Sequence, residues 1–433
     1  MPKLWNKGKD DKEVEDFTVG DDHFLDQELL QYDLIASSAH AKALRKAKLI
    51  SEEELKKLLT GLRQIGEAAE NGQFTILKED EDCHTAIENF LTKRFGDAGK
   101  KIHTGRSRND QALTAIRLYE KDSLLKAADA TLNLANELIT FSKRHSTTIM
   151  PGYTHMRQAM PSSFGLWAEA FVEILINEMT TIKSAYKRIN SNPLGSAASY
   201  GTDLPIDREY TSKLLGFSNV PNPLAAANSR GKDEAMLISV MHQIMLSLSR
   251  MATDLMLFST EEFGYVQLPE ELCTGSSMMP QKKNPDVLEL TRAKTAVVQG
   301  HYVTVSSIVK DLPSGYNRDL QLTKRPVMES FGITLSSLAI MKRIVKELKV
   351  NNKRCLSACS PGLWATEEAD KLVKGGMPFR QAYKEVASRL DKLKRPAKPI
   401  VPKLKSRRLI ELLGEERRLL VGEQEKLQGK LRF

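Results

Sequence analysis

The chain lacks the features that mark secreted, membrane-spanning and metal-dependent proteins. Its four cysteines, Cys83, Cys273, Cys355 and Cys359, are scattered, and no two have the CxxC spacing of a zinc site. No segment runs about 18 apolar residues without a charge, and the N-terminal stretch has no apolar run after its basic residues. We therefore expect a soluble cytoplasmic protein with reduced thiols, no bound metal and no membrane contact.

Proline and aromatic residues are also sparse. Only 6% of the 433 residues are aromatic, and no proline occurs between Lys3 and Met150. Because proline interrupts helices, its absence permits long uninterrupted helices in this part of the chain. Strand patterns are weak throughout.

The net charge of +9 is concentrated at one end. Residues 391–433 hold 13 Lys and Arg and 6 Asp and Glu, which is +7, so the preceding 390 residues carry only +2. A nucleic-acid groove would need a basic run interleaved with aromatics, which the main body lacks. We expect no nucleic-acid partner.

Two stripes of apolar residues, which recur at alternating spacings of three and four positions, predict two long helices packed in a bundle. One stripe consists of Leu237, Met241, Ile244, Leu248, Met251, Leu255 and Phe258. The other follows a start signal at residues 161–163 and consists of Phe164, Trp167, Phe171, Leu175, Met179, Ile182, Tyr186 and Ile189.

A third run extends from Asp286 towards Asp311, with Leu290, Ala293 and Val297 on one side. We interpret all three stripes as core packing and predict an all-α fold. Helices this long and apolar on more than one side bury little surface as monomers, so we also expect them to pack against another subunit.

The segment from His103 to Gln111 contains Ser107, Arg108 and Asn109 just before a long helical run. Hydroxyl, guanidinium and amide groups this close together suit recognition of a carboxylate. A solvated helix start capped by Asn or Asp explains the same residues equally well.

Two histidines could take part in catalysis. Thr154 and His155 lie between two prolines ahead of a bundle helix, where His155 could transfer protons near neutral pH. His84 follows Asp82 and stands four residues before Glu88, so His84 and Glu88 could form a simple surface pair. A metal at His84 would need a third ligand, which the sequence does not place.

The loop from Gly275 to Pro285 brings Ser276, Lys282 and Asn284 together before a helix start. Its backbone N–H groups, cation and amide could converge on an anion. The phosphate-loop pattern GxxxxGK[ST] and the strand that it requires are absent. We therefore favour stabilisation of a carboxylate and a carbanion.

A last polar segment, LPSGYNRDLQLTK, includes Tyr316, Gln321 and Lys324, which suit a charged amino-acid moiety. An ordinary loop with a polar helix face is the alternative.

Together these segments resemble the fumarase and aspartase superfamily and, within it, the argininosuccinate lyases. The loop GSSMMPQKKNPD is similar to the superfamily signature GSSxMPxKxNP. HTGRSRNDQ, GYTH, LPSGYNRDLQ and KGGMPFRQA match the argininosuccinate branch and extend the resemblance from about Leu4 to about Leu390. Adenylosuccinate lyases share the loop but not HTGRSRNDQ.

The resemblance implies a helical subunit of three regions around a central long-helix bundle. These are an N-terminal region at residues 1–105, the bundle at 106–355 and a small C-terminal region at 356–390, followed by a basic tail at 391–433. It also implies a homotetramer with active sites shared between subunits, and no cofactor.

By the same resemblance, Ser276 is the base and His155 a residue that handles protons. Lys282 and Asn284 would hold the succinyl carboxylate, and further substrate contacts would come from Ser107, Arg108, Asn109, Thr154, Tyr316, Gln321 and Lys324. His84 and Asp82 are supporting candidates.

Three features depart from the family pattern. Arg157 stands where glutamine is common, and Asp22 where a substrate-binding serine is usual. In the tail, PAKPIVPKLKSRR predicts an extended link before an amphipathic piece around Leu409 to Leu427, which we expect to be a solvated helix cap rather than an interaction tail.

Three functions are compatible with these residues. An argininosuccinate-cleaving enzyme fits best. The alternatives are a related fumarate-releasing lyase of the adenylosuccinate type and a non-enzymatic structural relative, as the lens crystallins of this superfamily are.

Overall fold

A computed structural model describes residues 12–396 and 404–431, which form sixteen α-helices. The start of the family resemblance at Leu4, and residues 397–403 of the expected extended link, lie outside this part of the chain. The helices are α1 Lys12–Val19, α2 Asp22–Lys46, α3 Glu52–Glu70, α4 Cys83–Phe95, α5 Asp97–Lys100, α6 Arg108–Arg144, α7 Phe164–Ile189, α8 Arg208–Leu215, α9 Pro223–Ser229, α10 Lys232–Ser259, α11 Asp286–Val309, α12 Lys324–Glu347, α13 Asn352–Ser357, α14 Ala365–Lys374, α15 Phe379–Ala387 and α16 Ser406–Gln428.

Strands are few and short among the described residues, which confirms the all-α prediction. β1 Ile149–Thr154 and β2 Arg157–Ser163 form an antiparallel hairpin between α6 and α7. β3 Val266–Gln267 pairs antiparallel with β4 Lys349–Val350.

The long helices form where the sequence predicts them. The proline-free N-terminal third contains α2, with 25 residues, and α6, with 37 residues. The start signal before α7 is confirmed, because the Ser163 side chain caps this helix by accepting a hydrogen bond from Leu166 N at 3.1 Å.

The central bundle consists of α6, α7, α10, α11, α12 and α16, which share one apolar core. All seven residues of the α10 stripe are buried, as are all residues of the α7 stripe except the half-buried Tyr186. Among the described helices, α10 alone is long and apolar enough to cross a membrane. Because it packs along α7, α11 and α12, it is a bundle core helix and not a membrane span.

Two smaller apolar cores flank the bundle. One is built from α2, α3 and α4, and α2 also contributes to the central core through its opposite side. The other lies between α14 and α15 and is formed by Ala369, Ala382 and Val386.

The third stripe differs from the other two. Within a single subunit, the prediction that its residues pack in the core is wrong. Leu290 and Val297 are 56% and 47% exposed, and Ala293 is also exposed. The inward side of α11 instead buries Leu288, Val298 and Val305 against the other helices. One face of α11 therefore remains apolar and uncovered.

The expectation of a solvated tail is also wrong. The last helix, α16, lies along α6 and α7 and buries Leu409, Leu413, Leu420 and Leu427 in the central core. Polar contacts hold it in place, including an ion pair of 2.7 Å between Lys183 and Glu416. The sequence suggested a solvated helix because charged residues outnumber the leucines in this segment.

Candidate active site

The hairpin β1–β2 carries Thr154 and His155 at its exposed end. Thr154 pairs with Arg157, so His155 and Met156 form a two-residue turn. Both turn residues have positive φ, +52° and +58°, which matches the twist of such tight hairpin turns but is unfavourable for residues other than glycine. The fold thus projects His155 from the body of the subunit.

The loop that carries Ser276 is closed by an isolated bridge between Thr274 and Asn284, with N–H to O distances of 3.2 and 2.8 Å. Inside the loop, Ser276 Oγ accepts hydrogen bonds from Met278 N at 3.2 Å and Met279 N at 3.1 Å. Two N–H donors on one hydroxyl oxygen stabilise negative charge on that oxygen.

Lys282 and Asn284 lie at the base of this loop. They line a cavity of about 580 Å³ beside α10 and α11. Lys282 is exposed, whereas its neighbour Lys283 is engaged in an ion pair with Glu270. α11 begins at Asp286 directly after the loop, so the loop lies at the positive end of this helix dipole.

Ser107 and Arg108 already have structural partners. Ser107 caps α6, where its hydroxyl accepts from Asn109 N at 3.3 Å and its own N–H donates to Asp110. The cap is therefore Ser107 and not the Asn or Asp that a simple helix start suggested. Arg108 binds Asp82 through Nε at 2.8 Å and Glu81 at 3.1 Å.

His84 does not form a surface pair with Glu88, contrary to that interpretation. His84 is buried, and its Nδ1 lies 2.7 Å from Asp33 Oδ2. Glu88 lies instead 3.8 Å from His103. The contact with Asp33, 51 residues earlier in the chain, requires α2 and α4 to pack together.

The surroundings favour the charged forms of both His84 and Asp33. Burial acts to lower the pKa of His84, but the carboxylates of Asp33 and Asp82 outweigh it, so this pKa is raised. Burial acts to raise the pKa of Asp33, and the charge of His84 reverses the effect, so this pKa is lowered.

Lys324 is buried in a cluster of carboxylates. Its ammonium lies 2.5 Å from Asp26 and 3.1 Å from Asp22. Burial acts to lower the pKa of Lys324, but Asp26 and Asp22 together raise it. Burial raises the pKa of Asp22 despite its contact with Lys324. Asp22 is thus a second carboxylate in contact with Lys324, the residue that would bind substrate according to the family resemblance.

Gln321 and Tyr316 precede Lys324 on the same side of the bundle. Gln321 Nε2 donates to the carbonyl oxygens of Thr18 and Val19 at the end of α1. The Tyr316 ring packs under the Arg230 guanidinium, 5.4 Å from the ring centroid. Arg230 is buried, and its Nε has no hydrogen-bond partner among the described residues.

Asp26 and Arg230 were not singled out from the sequence. The spacing of Asp22 and Asp26 by four residues on α2 places both carboxylates on one helical face, which is a signal that could have drawn attention to them. Arg230 has no comparable signal, because its contact with Tyr316 joins segments 86 residues apart.

One cluster offers atoms that a metal ion could use. Ligand atoms of Asp26, Cys83 and His84 lie within 4.8 Å of one another, which supplies the further ligands that the sequence could not place for His84. Two of these groups are already engaged in ion pairs, Asp26 with Lys324 and His84 with Asp33. The contacts are those of a buried ionic network.

The predicted site residues fall into three groups within one subunit. Lys324, Gln321, Asp82, His84 and the start of α6 belong to the first, at the junction of α2, α4 and α12. Tyr316 adjoins this group through Arg230, whose charge acts on Lys324 and Asp22. Thr154 lines a cavity of about 510 Å³ beside α14, at the hairpin that forms the second group. The third group is the serine loop, on its own cavity.

Known proteins resemble this chain in sequence and in fold. A model of the family described as Lyase matches residues 7–300. The argininosuccinate lyase of Thermotoga neapolitana is 46% identical over 389 residues, which are 89% of this chain and 98% of that protein. The argininosuccinate lyase of Sorangium cellulosum is 44% identical and aligns over 94% of each chain. Among solved structures, EDDS lyase in complex with formate superposes with a TM-score of 0.81 at 25% identity, covering 96% of this chain and 93% of that one.

Proposed function

This chain belongs to the argininosuccinate lyase family, a group of carbon–nitrogen lyases within the fumarase and aspartase superfamily, and from that premise we propose that it cleaves argininosuccinate to arginine and fumarate. The reaction would serve arginine biosynthesis. The observation that carries the proposal is the 46% identity to an argininosuccinate lyase over nearly its whole length.

We propose that Ser276 removes the proton. In its deprotonated form, the serine oxygen would take a proton from the carbon beside a succinyl carboxylate. The two N–H groups of Met278 and Met279 support this role, because they stabilise negative charge on Ser276 Oγ. Removal of the proton builds further negative charge on the neighbouring carboxylate, which Lys282 and Asn284 would hold.

The carbon–nitrogen bond would then break, and its electron pair would go to the guanidine nitrogen of the departing arginine. That nitrogen needs a proton, which His155 would supply directly or through a partner. The proposal assigns each of these steps to a protein side chain and calls for no cofactor.

The remaining candidates would bind substrate. Asn109, Thr154 and Tyr316 offer amide and hydroxyl groups, and Lys324 and Gln321 would face the charged ends of the molecule. Ser107, Arg108, Asp82 and His84 would act through their structural contacts, since Arg108 and His84 are held in ion pairs and the Ser107 hydroxyl caps α6.

We also propose a cytoplasmic homotetramer in which three subunits contribute to each active site. The uncovered apolar face of α11 supports assembly, because Leu290 and Val297 would otherwise remain in water. The predicted site residues lie in three separate groups within one subunit, which supports active sites that are shared between subunits.

The three apolar cores support the division into regions at residues 1–105, 106–355 and 356–390, with α16 of the tail packed onto the bundle.

The direct test is to incubate the purified protein separately with argininosuccinate and with adenylosuccinate and to follow fumarate by its ultraviolet absorbance. We expect fumarate from argininosuccinate only. Release from adenylosuccinate alone would support the related lyase instead, and no release from either would support the structural relative.

A further inference from the structure

One cross-strand pair close to the tip attaches the hairpin that carries His155, in addition to the contacts that its strands make with α7 and α13. A register shift between Gly152 and Tyr153 makes Tyr153 the direct partner of Gln158. Directly opposed residues in an antiparallel pair point to the same face, so both side chains leave the hairpin on one side. Such bulges are a common means of redirecting side chains near functional sites.

Both amide atoms of Gln158 bind the same short segment. Nε2 donates to the carbonyl oxygen of Ala358 at 2.7 Å, and Oε1 accepts from the N–H of Ser360 at 3.0 Å. This segment follows α13 and leads into the C-terminal helices α14 and α15. Gln158 therefore joins the hairpin to the beginning of the C-terminal region.

Tyr153 provides the second attachment. Its hydroxyl lies 2.7 Å from the hydroxyl of Tyr265, which is almost fully buried. Tyr265 precedes β3, and its carbonyl oxygen accepts a hydrogen bond from Asn351 N at the start of α13. The two attachments thus end on one packed unit formed by Tyr265, β3, β4 and α13.

The hairpin tip depends on such support. Two consecutive residues other than glycine with positive φ persist only where the surrounding structure holds them. The tip side chains are exposed, and one residue pair, Thr154 and Arg157, separates them from Tyr153 and Gln158. Of the two attachments, the one through Gln158 uses two hydrogen bonds and lies on the strand that leaves the turn.

We propose that Gln158 is a positioning residue that holds the turn bearing His155 through its two hydrogen bonds to Ala358 and Ser360. The inference rests on the proposed function, because it assigns His155 a role in proton transfer. It predicts that loss of the amide displaces His155 without removing a group that contacts substrate.

The test compares three variants of the full chain: Gln158→Leu, Gln158→Glu and, as a control, Gln73→Leu. Leucine removes both hydrogen bonds. Glutamate keeps the shape and the bond to Ser360 N, but its carboxylate repels the Ala358 carbonyl. Gln73 is an exposed glutamine beyond the end of α3, where the same change in chemistry touches none of the proposed site.

Two measurements are made on each variant. Steady-state kinetics with argininosuccinate should give a kcat about 10- to 100-fold lower for both Gln158 variants, as expected for a misplaced catalytic group. KM should rise by less than kcat falls, because Thr154 is the proposed substrate contact on this hairpin and the other proposed contacts lie on other elements. Amide hydrogen exchange at residues 149–163 should be faster in both variants and unchanged in the control.

The possible results are distinguishable. Faster exchange at the hairpin with an unchanged kcat overturns the positioning role, as does a rise in KM at constant kcat. Faster exchange throughout the chain also overturns it, because Gln158 would then support the whole fold. Should Gln158→Leu fail to fold, Gln158→Glu decides by the same criteria. A parent protein that releases no fumarate rejects the proposed function itself, and this inference with it.

Discussion

Lys324 Nζ lies 2.5 Å from Asp26 Oδ1, although the two residues are 298 positions apart in the chain. Both side chains are buried, at the junction of α2 and α12. A buried ammonium without a carboxylate would be strongly unfavourable, so the pair ties the N-terminal region to the bundle. The same lysine is a proposed substrate contact, which means that binding and folding depend on one group.

Replacing Lys324 with methionine should therefore lower stability as well as activity. The change leaves Asp26 and Asp22 close together without their cation, and we expect the free energy of unfolding to fall by about 3–5 kcal/mol. Urea denaturation measures this loss. The double variant Lys324→Met with Asp26→Leu should recover part of the stability. A single variant as stable as the parent would show that the pair contributes nothing.

The pair of His84 and Asp33 should make stability depend on pH. Because the pKa of His84 is raised in the folded protein, its contribution is complete below the unfolded value of about 6.5 and is lost as the pH rises through the folded pKa. The parent should thus lose its advantage over a His84→Gln variant between pH 6 and pH 9, about the range of a raised histidine pKa. Urea denaturation at several pH values checks this. An advantage that grows with pH would contradict it.

Lys121 should give the opposite trend. It is fully buried and donates to Asn190 Oδ1 and to the Gly216 carbonyl, each at 2.7 Å, and burial lowers its pKa to about 7. Between pH 7 and about 10 the unfolded chain binds the extra proton, so this group adds stability as the pH rises.

A Lys121→Met variant should lack that gain. The unfolding free energy of the parent minus that of the variant should become more positive from pH 7 to about pH 9, because this range lies below the unfolded pKa of lysine. A difference that is constant or narrows with pH would mean that Lys121 keeps an ordinary pKa in the folded state.

Replacing Ser276 with alanine should abolish fumarate release while leaving substrate binding largely intact. The expected loss in kcat is at least about 10²- to 10⁴-fold, the usual contribution of a positioned base. Ultraviolet absorbance measures turnover, and calorimetric titration measures binding. Ser277→Ala, the adjacent exposed serine, is the matched control. Near-normal turnover by Ser276→Ala would remove Ser276 from the mechanism.

The uncovered face of α11 should mediate assembly. Leu290→Glu together with Val297→Glu places two charges on residues that are about half exposed in the single subunit, so the fold should survive. Sedimentation should then show smaller species than the parent, with a parallel loss of activity if sites are shared. Asn136→Glu with Thr140→Glu, on exposed positions of α6, tests whether two added charges by themselves have this effect. A double-glutamate variant that keeps the parent's mass would argue against this interface.

Local patterns in the chain were sufficient to predict the long helices. The stripes of α7 and α10 follow the helical period, and the Ser163 cap uses a residue next to the helix that it starts. The segments around Ser276 and His155 could also be singled out as candidates, because each is a short motif whose chemistry lies within about ten residues, but the sequence did not predict the hairpin turn at His155.

The tertiary structure decided what each side chain contacts. His84 pairs with Asp33 and not with Glu88, and α16 buries its leucines although a solvated helix was expected. The third stripe, on α11, lies at the surface of the subunit. These outcomes depend on which helices pack together, and packing joins residues that are tens to hundreds of positions apart. A helical period records that one face is apolar, but only the packed fold determines whether the same chain or another subunit covers it.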